Sequence, residues 1–243
     1  MQGEIRLQAF KRHMKYQFQK KLAVVALGGS IVYPEEIDTR FLRNFKKCVE
    51  QFVAKGWKFV LVVGGGRPAR VYQAAAAEVV ALTDADKDWI GIHATRMNAE
   101  LLRAVFGKMA DPVVIERRGQ IKKLARPVTI GAGWQPGWST DYDAIALAKD
   151  FGASSAVIMG KPDYVYDKDP SLFKNAKQFP ELTWKMYRKI VPKKWTPGFH
   201  APVDPIAARL GEEEGMPTIV IGKDLKNFEA LLRGKEFKGT LLS

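Results

Sequence analysis

The sequence predicts an α/β fold, a three-layer α/β/α sandwich built around a mostly parallel central sheet. Two observations lead to this prediction. Short runs of continuous apolar residues, rich in valine and isoleucine, alternate along the chain with longer segments whose apolar residues recur every three or four positions. Strands that helices cover on both faces show such uninterrupted apolar runs, and their alternation with helices favours a mostly parallel sheet.

The predicted strands and helices follow one another through the whole chain. The predicted strands are the short apolar runs at 22–27, 58–63, 112–116, 127–131, 155–160 and 217–222. The predicted helices are the periodic segments at 39–56, 68–82, 88–109, 141–152, 204–215 and 225–234. The segment 165–183 is interrupted by prolines and charged residues, so we expect a loop there.

Residues with positional preferences mark the ends of several helices. Asp38 and Thr39 offer an N-cap to the first helix, and Gly56 offers it a C-cap. Pro68 suits the first position of the second helix, because the N–H that proline lacks has no helical partner there. Asp88 is expected to open the third helix, where its negative charge complements the helix dipole.

Length and composition fit one domain with a short extension. The chain has 243 residues, of which 47% are hydrophobic, which is enough for a substantial core. We expect a single domain over residues 21–243, without internal repeats or a low-complexity linker. Residues 1–20 are basic and are expected to form a short amphipathic or loosely ordered extension.

Charge and cysteine content limit the classes of partner and compartment. The formal net charge of +13, from 39 Lys and Arg against 26 Asp and Glu, suits an anionic partner. No nucleic-acid partner is expected, because no RNA- or DNA-binding motif is present. Cys48 is the only cysteine, which excludes an intrachain disulfide and favours a reducing compartment. Without a secretory signal or an apolar run near the ~20 residues that span a bilayer, we expect a cytoplasmic protein with no membrane partner.

Three glycine-rich turns follow predicted strands, at 28–30, 64–66 and 131–133. Glycine lets backbone N–H groups approach an anion closely, and a helix N-terminus behind the turn adds a favourable dipole. The carboxyl ends of parallel strands meet at one edge of a sheet, so the three turns should lie together. The chain has neither a Walker A sequence nor a complete Rossmann fingerprint. The turns therefore predict a phosphate site of a different type.

Arg70 lies one helical turn beyond the glycines of 64–66. Its planar guanidinium can fold back over an anion held by the loop and bind it with two hydrogen bonds. A cation near the positive end of a helix is mildly unfavourable by itself, which favours a bound anion over a merely solvated arginine. Arg67, inside the loop, is expected to be a mobile surface residue.

The segment 134–144 admits both a structural and a functional interpretation. Ser139 or Thr140 can be an N-cap, with Asp141 in the first turn of the helix that follows. Exposed tryptophans beside small hydroxyls and a carboxylate also suit a planar base and a Mg²⁺-bound phosphate. Asp88 admits the same two interpretations, and without further context a helix-start charge is the better one.

The segment 161–170 follows the predicted strand at 155–160 and is rich in aromatic and acidic residues. These residues can flank a purine, or they can form only a hairpin. The residues concerned are Asp163, Tyr164, Tyr166 and Asp169.

Taken together, these motifs resemble the amino acid kinase family. The shared features are a strand followed by G-G-S, a later strand followed by G-G-G-x-x-A-R, then D-x-x-G, T-D at the start of a helix, and a V-Y-x-x-D-P loop. Within the family, DWIGIHATRMNAELL, WQPGWSTD and VDPIAARL are similar to segments of the archaeal-type uridylate (UMP) kinases. The resemblance covers about residues 22–243, and the motifs are specific only in combination.

The resemblance implies one α/β/α domain that transfers the γ-phosphoryl group of ATP to UMP, a step of pyrimidine nucleotide synthesis that yields UDP and uses Mg²⁺ as Mg-ATP. It implies an acceptor-binding half at about 21–150 and a nucleotide-binding half at about 151–243. It also implies a homo-oligomer, which is a hexamer in that family. Such a transfer needs alignment and charge neutralisation and no covalent nucleophile.

The resemblance also implies a role for each matching residue. The UMP phosphate, ribose and uracil would be bound, in that order along the chain, by Gly65, Gly66, Arg70, Asp88, Gly133 and Thr140. The ATP side would comprise Gly28, Gly29, Asp163, Tyr166 and Asp169. The catalytic group would comprise Gly29 and Ser30, which meet the transferring phosphoryl group, together with Asp141 and Lys161. No residue is assigned as a metal ligand.

The chain departs from the family pattern at two positions. Bacterial members have a lysine two residues before the first glycine, where this chain has Ala26. Another cation must then neutralise the transition state, and we expect Lys161 to supply it. The family's V-D-G is Pro162-Asp163-Tyr164 here, so a tyrosine replaces a glycine and should reshape the nucleotide pocket.

Other functions remain open from the sequence alone. Carbamate, acetylglutamate, aspartate and isopentenyl phosphate are acceptors in other enzymes of this fold, and an arginine fork binds carboxylates as well as phosphates. Isopentenyl phosphate enzymes usually have a histidine on the second helix, whereas His93 lies in a different segment. A non-catalytic nucleotide-binding relative is a further alternative, favoured by Ala26 and Tyr164.

Overall fold

A seven-stranded sheet forms the centre of the computed structural model, which describes residues 14–191 and 201–243. Its strands are β1 (Leu22–Leu27), β2 (Lys58–Val63), β3 (Val128–Gly131), β4 (Ala156–Met159), β7 (Glu181–Leu182), β8 (Thr218–Ile221) and β9 (Thr240–Leu242). The spatial order is β3-β2-β1-β4-β8-β9-β7, and the first five strands of that order are parallel. A separate antiparallel hairpin consists of β5 (Val165–Tyr166) and β6 (Gln178–Phe179).

Helices and one 3₁₀ turn (Gly107–Met109) connect the strands. The helices are α1 (Gly29–Val32), α2 (Thr39–Val53), α3 (Gly66–Val79), α4 (Asp84–Phe106), α5 (Thr140–Asp150), α6 (Trp184–Ile190), α7 (Pro205–Glu213) and α8 (Leu225–Leu232).

Two hydrophobic cores lie on opposite faces of the sheet. Alternate residues of β1 point to opposite sides, so Ala23, Val25 and Leu27 join the core with α2, α4 and α8. Leu22, Val24 and Ala26 join the core with α5, α6 and α7. The three-layer sandwich predicted from the sequence is therefore confirmed. Strands such as β1 read as uninterrupted apolar runs because both of their faces are buried.

Several predicted boundaries differ from the observed ones. The run 112–116 forms no regular strand and contributes a single isolated bridge, between Ile115 and Gly131, while a second bridge joins Ala110, just before the run, to Val128. Pro68 is the third residue of α3, still within the first turn, where helical N–H groups lack partners. In the segment 165–183, expected as loop, the short strands β5, β6 and β7 occur, and α6 and β9 were also not predicted.

Part of the expected N-terminal extension packs on the domain. Met14 pairs with Phe237 through two backbone hydrogen bonds, of 3.1 and 3.0 Å. The rings of Tyr16 and Phe18 meet edge to face, and Phe18 meets Trp57 in the same way. Residues 14–18 are therefore ordered against the core, and residues 1–13 lie outside the described residues.

Cys48 is buried on α2 among core residues. Burial first, and then the negative charge of Glu229, raise the pKa of its thiol to about 12, against a smaller opposing effect of Arg233. The thiol is therefore protonated at physiological pH, and the residue acts as a small apolar group in the core.

Candidate active site

The loops that follow the parallel strands begin in register at one edge of the sheet. Gly28 N–H donates to the Met159 carbonyl at 2.9 Å, and Gly64 N–H donates to the Leu27 carbonyl at 3.0 Å. Gly160 N–H donates to the Ile221 carbonyl at 2.9 Å. These bonds extend the strand pairing by one residue. The glycine-rich turns at 28–30 and 64–66 and the loop that begins at Gly160 after β4 therefore start side by side, at the position where ligands bind in α/β folds.

The first two glycine loops lie in backbone contact. A Cβ atom at Gly29 would come within 2.1 Å of Gly66 N and 2.5 Å of Gly64 C. Gly66 has a φ of +67°, and a Cβ there would lie 2.6 Å from Gly29 O. Only glycine fits these positions, because any side chain would collide with backbone. The contact brings the N-terminal turns of α1 and α3 together, so two potential anion sites adjoin each other.

The two arginines after the second glycine loop have different environments. Arg70 is exposed on the second turn of α3 and makes no ion pair or hydrogen bond with any described residue. Arg67 pairs with Glu35, and its N–H donates to the Tyr33 carbonyl at 3.1 Å. The Arg67 side chain is 44% exposed, as expected of a surface residue, and its charge is paired with Glu35. Arg70 is the guanidinium beside this loop that remains available to an anion.

Asp88 holds the loop that follows β3. Its Oδ2 accepts a hydrogen bond of 2.7 Å from Gly137 N, and Gly137 has a φ of +84°. The prediction that Asp88 opens a helix is wrong, because α4 begins four residues earlier, at Asp84. Thr83 caps α4 through a capping box with Asp86, which supplies the N-terminal carboxylate instead.

Two further side chains of α4, which the sequence did not single out, contact the site. Thr95 Oγ1 accepts a hydrogen bond of 2.7 Å from Gly133 N. Asn98 Nδ2 donates to the carbonyl oxygens of Gly64 and Gly65, at 2.8 and 3.1 Å. A threonine and an asparagine three residues apart, both on the buried face of an amphipathic helix, are the signal that could have identified them.

Ser139 connects the N-termini of α5 and α7. It is the N-cap of α5, where its Oγ accepts from the N–H groups of Asp141 and Tyr142, both at 3.1 Å. The same hydroxyl donates to Asp204 Oδ2. Asp204, in turn, caps α7. Thr140 and Asp141 thus begin a helix whose start is fixed from two sides, and the N-cap interpretation of Ser139 is confirmed.

Three carboxyl groups gather behind this connection. Burial, followed by the charge of Asp204, raises the pKa of Asp141 well above its usual value. Burial also raises the pKa of Asp143 well above its usual value, with added contributions from Asp141 and Asp204. Burial raises the pKa of Asp204, although the hydrogen bond from Ser139 opposes the effect. The three groups cannot all ionise freely, because each negative charge disfavours the next.

The two tryptophans of the loop after β3 have different exposures. Trp134 is only 5% exposed and lies in the core with α5, so its description as an exposed aromatic is wrong. Trp138 is half-buried, and its ring lies 4.3 Å, centroid to centroid, from that of Tyr142. Only Trp138 is therefore open enough to contact a planar ligand at this edge.

The residues predicted on the ATP side occupy the loop after β4 and the β5–β6 hairpin. Lys161 is exposed, follows Gly160 directly, and makes no ion pair within the described part of the chain. Asp163 lies against the loop after β8, since a Cβ at Gly222 would contact its Oδ1. The segment 161–170 thus begins at the same edge as the glycine loops and continues into a hairpin.

The hairpin residues divide into one buried and two accessible side chains. Tyr164 is 5% exposed and its ring meets that of Tyr166 edge to face at 6.2 Å. Burial raises the pKa of both phenols. Asp169 is exposed and accepts hydrogen bonds from the N–H and hydroxyl of Ser171, which lower the pKa of its carboxyl. Val165 and Tyr166 thus form one strand of a hairpin, with Tyr164 on its buried side, and contact of this segment with a purine stays a prediction.

Metal-binding clusters and membrane helices were also sought in the described ranges. Residues 14–191 and 201–243 contain no group of three or more His, Cys, Asp or Glu side chains placed to hold a metal ion. None of the helices in these ranges combines the length and apolarity needed to cross a bilayer.

The sequence as a whole matches the profile of the amino acid kinase family over residues 21–222. The chain belongs to this family, as its motifs predicted. It is similar to the uridylate kinase of Haloquadratum walsbyi, with 35% identity over 221 residues, which cover 89% of this chain and 91% of that protein. It is also similar to the uridylate kinase of Methanocorpusculum labreanum, with 34% identity over 224 residues, covering 90% and 94%.

A solved structure shows the same architecture. The uridylate kinase of Archaeoglobus fulgidus superimposes with a TM-score of 0.78 and 29% sequence identity. The alignment covers 95% of this chain and all of that one. The resemblance of the fold therefore extends across both halves of the sheet.

Proposed function

We propose that the protein is a UMP kinase, which transfers the γ-phosphoryl group of ATP to UMP and forms UDP. The backbone contact between the glycine loops at Gly29 and Gly64–Gly66 carries this proposal. It brings two adjoining anion sites together at the sheet edge, as direct transfer between two phosphates requires. The similarity to archaeal uridylate kinases over about nine-tenths of the chain supports UMP as the acceptor.

We assign the acceptor to the loops between β2 and α5. Gly65 and Gly66 offer backbone N–H groups to the UMP phosphate, and the guanidinium group of Arg70 adds two charged hydrogen-bond donors. Asp88 binds the ribose through the carboxylate oxygen that Gly137 does not occupy. Gly133 and Thr140 lie at the two ends of the loop that receives the uracil. This assignment makes residues 21–150 the acceptor-binding half of the domain.

We assign the donor to residues 151–243 together with the first glycine loop. Gly28, Gly29 and Ser30 meet the transferring phosphoryl group with the N-terminal turn of α1. Lys161 supplies the cation that Ala26 cannot, since it follows Gly160, whose Cα lies 3.7 Å from the position of a Cβ at Gly28. Further along this segment, the adenosine part of ATP contacts Asp163, Tyr166 and Asp169.

Mg²⁺ enters this site as Mg-ATP. Magnesium in such sites is held by one or two carboxylates together with the substrate phosphates, so a three-residue protein cluster is not required. Asp141 fits this role, because burial and the charge of Asp204 raise the pKa of its carboxyl group, and a bound cation would relieve that repulsion. When bound, the ion neutralises charge on the transferring group.

The chemistry at the site needs no covalent intermediate. The protein's contribution is to hold acceptor and donor phosphates in line and to surround the transferring group with donors. The backbone nitrogens of Gly29 and Gly66 lie at the loop contact, and we assign Arg70 to its acceptor side and Lys161 to its donor side. Backbone donors held in this way need little reorganisation during transfer.

A coupled assay for ADP formation tests the proposal. With UMP, ATP and Mg²⁺ we expect turnover that exceeds turnover with CMP, AMP, isopentenyl phosphate, acetylglutamate, aspartate or carbamate. Turnover with one of these acceptors and none with UMP would contradict the assignment. ATP binding without turnover on any acceptor would instead favour a non-catalytic relative.

We further propose that the enzyme is a cytoplasmic homo-oligomer, a hexamer by resemblance to its family. Ala69 is the only buried residue of the 14-residue helix α3. That helix exposes Val71, Tyr72 and Val79, the last to 86%. A long apolar helix left this open favours a second copy as its cover. Light scattering on the purified chain should show a multiple of the 27.2 kDa subunit mass, and a monomer at micromolar concentration would contradict this proposal.

A further inference from the structure

We propose that Asn98 and Thr95 are positioning residues that aim the acceptor-phosphate site. They act through the backbone of the glycine loop at 64–66 and of the loop at 133–137. This inference rests on the proposed function, since it concerns how the UMP site is built. Neither residue is assigned to touch a substrate.

The contacts of Asn98 fix the direction of two peptide groups. Its side chain is only 3% exposed, and both carbonyl oxygens of Gly64 and Gly65 accept from its Nδ2. In a planar trans peptide, the carbonyl and the following N–H point in opposite directions. The N–H groups of Gly65 and Gly66 must therefore point away from the Asn98 amide on α4.

These two N–H groups have no acceptor among the described residues, since neither donates in any backbone or side-chain hydrogen bond there. A Cβ at Gly29 would lie 2.1 Å from Gly66 N, which shows that this nitrogen faces the junction of the two glycine loops. Glycine tolerates many backbone conformations, so Gly65 and Gly66 do not by themselves fix the direction of these peptides. The contact with Gly29 limits the space around the loop, and the amide of Asn98 fixes the direction of its two carbonyls.

Thr95 holds the second acceptor loop from the same helix face. Its hydroxyl donates to the Ile92 carbonyl at 2.7 Å, which leaves its lone pair directed at Gly133 N, also at 2.7 Å. Asp88, two turns before Thr95, holds Gly137 in the same loop. Positions 88, 95 and 98 share one face of a helix. Helix α4 thus holds the loop at 64–66, which is assigned to the UMP phosphate, at a fixed separation from the loop at 133–137, which is assigned to the uracil.

Small residues on this face allow the loop to approach. A Cβ at Gly65 would lie 3.2 Å from the Gly91 carbonyl and 3.4 Å from Ala94 Cβ. The loop therefore rests directly on α4, and the direction of its peptides depends on what α4 offers to their carbonyls. On this face of α4, the amide of Asn98 donates to the two loop carbonyls, those of Gly64 and Gly65.

The test compares Asn98→Asp with Asn44→Asp, a substitution of an exposed asparagine on α2 that makes the same change in charge. Asn98→Asp keeps the side-chain shape but replaces the donors with an acceptor, which repels both carbonyls. We expect its KM for UMP to rise about 10- to 100-fold, the effect of misplacing a binding group by about 1 Å, with KM for ATP changed less than about twofold. Asn44→Asp should leave both values unchanged.

A binding measurement separates positioning from folding and from the identity of the acceptor. Inorganic phosphate should raise the thermal unfolding temperature of the wild type and of Asn44→Asp, but not of a folded Asn98→Asp. Loss of stability with unchanged KM for UMP and an unchanged phosphate effect would show a merely structural role and overturn the inference. A phosphate effect that depends on Asn98 in a protein that does not phosphorylate UMP would refute the proposed function and support the positioning role.

Thr95 provides a second pair of variants if Asn98→Asp does not fold. Thr95→Val removes the hydroxyl with little change in volume, whereas Thr95→Ser keeps it. We expect Thr95→Val to raise KM for UMP about 10-fold, the cost of about one hydrogen bond, and Thr95→Ser to recover most of that loss. Equal KM values for the two variants would overturn the inference.

Discussion

The two substrate sides of the site are built in different ways. On the acceptor side, buried or half-buried side chains of α4 hold the loops after β2 and β3 through long-range hydrogen bonds, in which Asn98 donates and Thr95 and Asp88 accept. On the donor side, the hairpin of β5 and β6 has strands of two residues each, and Asp169 bonds only within its own turn. Leu172 at the hairpin tip is 75% exposed.

This difference suggests a division of work between the halves. The hairpin is joined to the central sheet at its base, where Thr240 Oγ1 accepts from Val165 N–H and donates to the Phe179 carbonyl, so we expect only its exposed tip to adjust when a nucleotide binds. The acceptor side has its peptide groups aimed before any ligand arrives, which lowers the cost of binding. We therefore expect sharp changes in acceptor binding from substitutions on the rigid side, and changes in rate from the cation on the donor side.

The largest effect is expected from Lys161→Ala on the donor side. If Lys161 stabilises charge in the transition state, its loss should lower kcat by about 10²- to 10³-fold and leave KM for UMP nearly unchanged. Lys223→Ala is the matched control, because Lys223 is another exposed lysine one residue after the glycine that ends a neighbouring strand. Steady-state kinetics with both substrates varied provides the measurement. Equal kcat values for the two variants would remove Lys161 from the mechanism.

A smaller effect, confined to acceptor binding, is expected from Arg70→Ala. Hydrogen bonds to charged groups contribute about 1.5–3 kcal/mol, so KM for UMP should rise about 10- to 100-fold while KM for ATP stays within about twofold. Arg67→Ala removes the same charge from the same loop, but from an arginine already paired with Glu35. It should affect KM for UMP much less. Similar increases for both substrates in Arg70→Ala would place the loop on the donor side.

The smallest effect concerns stability at the boundary of the two halves. Asp143 is fully buried, and neither of its carboxyl oxygens takes part in a well-formed hydrogen bond among the described residues. Burial, then the charges of Asp141 and Asp204, raise its pKa in the folded state well above 3.8. Its contribution to stability is therefore complete below pH 3.8 and decreases as the pH rises towards the folded-state pKa.

Asp143→Asn removes this ionisation and should flatten the dependence of stability on pH. We expect the variant to gain about 1–3 kcal/mol over the wild type at pH 8, and less at pH 5. Asp150→Asn, at the other end of α5, is the control. It loses the ion pair with Arg118 and should be slightly less stable than the wild type at both values. Thermal unfolding at several pH values tests this, and an advantage of Asp143→Asn that does not grow with pH would contradict it.

The sequence predicted the parts of the fold that depend on local pattern. The strands β1 and β2 are continuous apolar runs because both faces of the central sheet are buried, and this pattern is visible without a structure. The glycine turns after them are equally visible. The three-residue strand β9 is too short to show a recognisable sequence pattern. It is a strand because it pairs with β8, a contact that the local sequence does not reveal.

The site was predicted in part, for similar reasons. The resemblance to the family identified the loops, and Arg70 followed from its spacing to the glycines. Asn98 and Thr95 were missed because a polar residue on a helix is most simply read as solvent-facing, and only the fold shows that they face backbone. The start of α4 was predicted four residues too late, because Asp88 also has the charge that suits a helix start. The capping box of Thr83 and Asp86, which marks the observed start, is visible in the sequence.

Cys48 has a practical consequence for measuring the motion of the donor side. It is the only thiol of the chain, and its pKa of about 12 leaves it unreactive towards maleimides near neutral pH. A cysteine introduced at Leu172 and another at Arg43, an exposed residue of α2, would therefore be the only sites to accept fluorescent dyes. Energy transfer between the two dyes would report directly how far the hairpin moves relative to α2 when a nucleotide binds.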